Sequence, residues 1–60
     1  MKVKVCVAGS GTENDPYRPD VVPITYAVIQ YNLTEGWVII EIDPGDYEKI
    51  KDKVIEVVEQ

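Results

Sequence analysis

Residues 9–23 read GSGTENDPYRPDVVP, with two glycines and three prolines in fifteen positions. Pro16, Pro19 and Pro23 each lack a backbone donor and restrict φ, so this stretch cannot be helix or sheet ladder throughout. It takes up a quarter of a sixty-residue chain. Loops of that length in compact domains are usually functional or mobile. Any regular structure therefore has to come from the residues on either side.

So short a chain forms one domain, residues 1–60, and buries only about 60% of the surface its unfolded form exposes. Cys6 is the only cysteine and histidine is absent. Neither an internal disulfide nor a zinc site of the usual Cys/His kind can reinforce the fold. Efficient packing and self-association remain. Ten valines and seven isoleucines, against one leucine and no phenylalanine, favour sheet over helical bundle. A net charge of −5 argues against binding a nucleic-acid backbone. No apolar run reaches the roughly 20 residues of a membrane span, and Met1-Lys2 leads into an alternating pattern instead of a signal-peptide core. The expectation is a cytoplasmic protein with a free thiol and no membrane partner. Its wealth of Val, Ile, Glu and Lys would suit a thermophile.

Residues 2–8, KVKVCVA, alternate with period two, which sets Val3, Val5 and Val7 opposite Lys2, Lys4 and Cys6 as a half-buried or edge strand. ITYAVIQYN, residues 24–32, reads as a second strand, with Ile24, Tyr26, Val28 and Gln30 on one face and Thr25, Ala27, Ile29 and Tyr31 on the other. Asn32 to Gly36 forms a hairpin turn. WVIIEI, residues 37–42, is a third strand, apolar on both faces and so central or part of a subunit contact. Asp43-Pro44-Gly45-Asp46 starts a helix, with Asp43 as N-cap. The end of the chain admits two readings. The helix runs on to about Val58, or it stops near Asp52 and VIEVVE, residues 54–59, makes a fourth strand. Four β-branched residues in those six favour the strand. The fold class is α+β: a small, mainly antiparallel β-β-β-α sheet with one helix on a face and a possible C-terminal strand.

Several motifs advertise chemistry that their surroundings do not support. Gly9-Ser10-Gly11 opens like a Rossmann phosphate turn, but Asn14 stands where the third glycine belongs and no helix follows. Glu13, Asn14, Asp15 and Asp20 offer oxygen ligands without the spacing of a calcium loop; turn formation explains them. Asn32-Leu33-Thr34 fits a glycosylation acceptor by coincidence of a hairpin turn. Cys6 and Ser10 have no adjacent base, and the carboxylates interleave with Lys49, Lys51 and Lys53 as on a solvated face. No cofactor, metal or catalytic residue is expected. Pro16-Tyr17-Arg18-Pro19 matches P-x-x-P, although such ligands usually lie in disordered tails. Here it is a stiff crossing loop whose Tyr17 and Arg18 pack over the sheet or meet a partner.

Residues 9–20, GSGTENDPYRPD, resemble a G-x-G-T-x-x-(D/N)-P-(Y/F)-R-P loop. It follows a short first strand in small uncharacterised proteins of phages, prophages and thermophilic microbes. The helix start at Asp43 to Asp46 has a counterpart downstream in those sequences. The resemblance implies a shared structural or interaction element and brings no activity with it.

The residues thus point to a non-catalytic protein that works through protein–protein contact, as a homo-oligomer or in a larger assembly. Tyr17, Arg18, Tyr31 and Trp37 are the candidate contact residues, because Trp, Tyr and Arg dominate interface hot spots. The alternative is an acidic inhibitor or nucleic-acid mimic directed at a basic protein.

Overall fold

The computed structural model describes residues 1–60. The strands are β1 (Lys2–Ala8), β2 (Arg18–Pro19), β3 (Tyr26–Asn32), β4 (Trp37–Ile42) and β5 (Val54–Glu59). A 3₁₀ turn (Pro44–Asp46) leads into the single helix α1 (Tyr47–Ile50). Every strand pairing is antiparallel. The sheet path is β2-β1-β4-β3, and β5 also pairs with β1. Along the edge of β1 away from β4, β5 covers Lys2–Val5 and β2 covers Val7–Ala8. The fold is therefore the expected α+β class, with β1 central and flanked on both sides.

Alternation in β1 and β4 builds the core. Val3 and Val5 pair with Ile40 and Val38, and these four with Ile42 and Ile50 are the buried cluster. Two connections cover this face. The segment after β2 carries Val21 and Ile24 onto it, and the β4–β5 crossover carries Tyr47 and Ile50. Asp43 caps the crossover as its sequence suggests, its Oδ1 accepting the Gly45 N–H at 2.8 Å. The helix is only one turn long. Lys51 to Lys53 turn the chain so that the apolar VIEVVE segment can pair with β1, which satisfies backbone groups of β1 that would otherwise stay open along that edge.

Three details depart from the sequence expectation. The long loop contains the two-residue strand β2, in which Pro19 is buried. The next strand begins at Tyr26, because Ile24 belongs to the segment that crosses the core. In addition, the register between β3 and β4 shifts between Val28 and Gln30, leaving Ile29 as a bulge. Tyr26 and Val28 stand opposite Ile42 and Ile40; beyond the bulge Tyr31, not Gln30, stands opposite Val38. The extra residue reverses the alternation, so Tyr31 shares the core-side face with Val28.

Candidate functional site

The two crossing segments cover only part of the core-side face. At the other end of the sheet the face stays open as a groove of about 260 Å³. Val7 and Val38 of the two central strands form its floor. Tyr17, Arg18 and Pro19 line one side; Val28, Tyr31 and Leu33 line the other. Its apolar character follows from strand alternation for the floor and from the β3 bulge for Tyr31.

The Tyr17 side is held by a closed backbone turn. The N–H groups of Ser10, Gly11 and Thr12 all donate to the Asp15 carbonyl, at 3.1, 3.0 and 3.2 Å. The Asp15 N–H in turn donates to Thr12 Oγ1 at 3.1 Å. Three amides that a phosphate turn would aim at an anion are thus spent inside the loop. Gly9 and Gly11 have φ of +97° and +81°. A Cβ on Gly11 would lie 2.5 Å from the Tyr17 ring, so the missing side chain is what lets that ring lie against the turn. Arg18 Nη1 donates to Asp15 Oδ1 at 2.9 Å and reaches back to the Pro16 carbonyl at 3.4 Å. The Arg18 hydrogen bond holds the Asp15 carboxyl below its usual range, against a smaller opposing effect of desolvation.

The structure therefore brings Tyr17, Arg18 and Tyr31 around one groove. Trp37 does not join them. It pairs with Cys6 and Asn32 on the opposite face, donates its indole N–H to Glu35 at 2.7 Å, and carries the Lys4 ammonium 4.7 Å from its ring centroid. It anchors the hairpin turn and the outer sheet face. Val7, Pro19, Val28 and Leu33 complete the groove and were not singled out in the sequence. Leu33 carried a readable signal, since the chain's one leucine sits in a turn where polar residues predominate. Val28 and Val7 are ordinary strand residues until the covering segments are placed.

This groove is open and smaller than the roughly 300–1,000 Å³ of small-molecule pockets. Its one charged group, Arg18, is already engaged by Asp15. Neither Cys6 nor Ser10 lines it. No group of three or more metal-ligating side chains converges anywhere in the structure, and no helix is long and apolar enough to cross a membrane. What the groove offers is mainly apolar contact. The chain matches no known protein family, curated protein or solved structure.

Proposed function

We propose that this is a non-catalytic protein that works through protein–protein contact, with the Tyr17–Tyr31 groove as its contact surface. One observation carries the reading. Of the nine large apolar residues left exposed, five (Tyr17, Tyr26, Val28, Tyr31 and Leu33) line the groove or lie on the same face of β3 beside it. A contiguous apolar patch on a small acidic molecule marks an interaction site. Tyr and Arg at its centre supply large contact area with few rotatable bonds.

The competing reading, an acidic mimic aimed at a basic protein, draws on the net charge. Seven carboxylates lie within 4 Å of a cation of the same chain: Asp15, Asp20, Glu41, Asp46, Glu48, Glu56 and Glu59. No observation singles out an unpaired anionic face.

Substitution of Leu33 tests the contact reading, because Leu33 lines the groove and is exposed. Leu33→Asp is expected to leave the circular dichroism spectrum intact while abolishing both self-association and chemical cross-linking to cellular proteins. Association should not weaken with moderate salt, because an apolar contact is not screened and the repulsion between copies of net charge −5 is. A Leu33→Asp protein that associates like the parent in both assays would overturn the reading. Strong weakening of partner capture by salt would favour the mimic instead.

A further inference from the structure

We propose that β3 pairs antiparallel with β3 of a second copy across a two-fold axis, joining two sheets edge to edge. The proposal rests on the contact reading above and names the occupant of that surface.

The hydrogen-bond register leaves the β3 edge open. Ile42 and Met1 exchange bonds, with the Ile42 N–H donating to the Met1 carbonyl at 2.8 Å and the Met1 ammonium to the Ile42 carbonyl at 3.1 Å. At the other end the Val7 N–H donates to Gly36. Backbone groups of a strand point alternately to its two neighbours, so Val38, Ile40 and Ile42 bond to β1, and Trp37, Ile39 and Glu41 bond to β3. Their partners are Ala27, Gln30 and Asn32. The N–H and C=O groups of Tyr26, Val28 and Tyr31 therefore point away from the sheet. No backbone bond outside the ladders involves residues 25–31.

This edge lacks the usual protection. Exposed edges commonly carry lysine, proline or inward charges that discourage pairing. From Val21 to Thr34 there is no charged residue, and six of the seven residues of β3 are exposed. The opposite edge is guarded. There β5 has two register shifts and carries Glu56 and Glu59, and β2 is two residues long with a proline.

Self-pairing suits this strand for two reasons. Copies with a net charge of −5 repel one another, and the uncharged β3 edge lets them meet with least repulsion. The bulge also makes the strand self-complementary. Tyr26 and Tyr31 face the same side and both bond outward, so Tyr26 of one copy can oppose Tyr31 of the other. In an unbulged strand, residues five apart would face opposite sides and could not pair this way. A two-fold pairing uses both open edges and closes the assembly at two copies. A stable interface covers about 800 Å² per partner, about a fifth of the 4119 Å² surface of this chain. The contact therefore extends from Tyr31 over the groove rim at Leu33.

The test is sedimentation equilibrium of the full chain over a range of concentrations, with amide exchange read at the same concentrations. The parent is expected at twice its 6.8 kDa mass, with Tyr26, Val28 and Tyr31 amides protected only in the dimer. Val28→Lys is expected to give a folded monomer, since Val28 is half exposed and the two-fold would bring the two lysines together. Val58→Lys on the opposite edge is expected to leave the dimer intact. Exchange on the parent protein decides the matter without any variant, should Val28→Lys fold poorly.

A monomer at every concentration overturns the proposal, as does a dimer that leaves those three amides unprotected. A monomeric parent whose cross-linked partners vanish in Leu33→Asp loses the two-fold pairing but keeps the contact reading. A monomeric parent whose cross-linking is the same in Leu33→Asp ends both readings.

Discussion

Asp15 organises more of the long loop than any other residue. Its carbonyl gathers three amides, its carboxylate holds Arg18, and its own N–H closes on Thr12. The Arg18 bond lowers the Asp15 carboxyl from its ordinary value. A lowered folded-state value means that the contribution is complete above the ordinary aspartate range and is lost as pH falls through the lowered one. Protection of the Ser10 to Thr12 amides, measured against their intrinsic exchange rates, is therefore expected to fall on acidification through that range. Arg18→Gln should show the lower protection already at neutral pH. The glycines separate strain from crowding. Gly36 has φ of +80° and open space around its Cβ position, so Gly36→Ala should cost about 1–2 kcal/mol for the left-handed backbone alone. A Cβ on Gly9 would lie 2.2 Å from the Pro16 carbonyl oxygen, so Gly9→Ala should cost clearly more, as read by urea unfolding.

At the scale of elements, β5 shows how a strand compromises. Val54 and Val57 pack against the core, while Glu56 and Glu59 pair with Lys4 and Lys2 on the far face. The two bulges insert Ile55 and Val58 between them, exposed. The repeat is thus three residues, V-I-E then V-V-E, on a strand that ordinarily repeats every two. The preceding crossover is short, and its cap matters accordingly. Asp43→Ala should lower stability by about 1 kcal/mol, a shift of about 4–8 °C in Tm for a domain of this size. Thermal melts followed by circular dichroism measure this. Apart from β2, the existence and order of the elements were legible in the chain: alternation marked β1 and β4, and β-branched content favoured the strand at 54–59. The bulge at Ile29 was not legible. ITYAVIQYN alternates acceptably in either register, and pairing with β4 decides which residue is left over.

For the whole molecule, seven buried residues in sixty leave a thin margin. Ile50 is fully buried and fastens the crossover to the sheet. Ile50→Ala should cost about 2–5 kcal/mol, against a total stability of about 5–15 kcal/mol for folded domains at large and towards the low end for one this small. Unfolding of that variant at room temperature, or within a few degrees above it, is the expected result. If two copies share the β3 edge, stability also depends on mass action, and Tm should rise with protein concentration. A monomer would show no such trend.

By itself the sequence determined that this chain makes a small, mainly antiparallel sheet with one helix, because period-two alternation and β-branched content act locally. Where that helix ends was decided by the pairing of residues 54–59 with β1. The sequence also pointed to a turn at Gly9 and Gly11 with no helix after it, since the prolines that follow cannot continue one, and the backbone bonds to Asp15 close that turn. The candidate groove was only half determined. Tyr17, Arg18 and Tyr31 meet, but Trp37 lies on the far face, and Val28 and Leu33 take its place. That outcome belongs to the tertiary structure. Which face a side chain occupies beyond a bulge, and which part of a face stays open, depend on where distant segments cross. No local pattern encodes those long-range pairings.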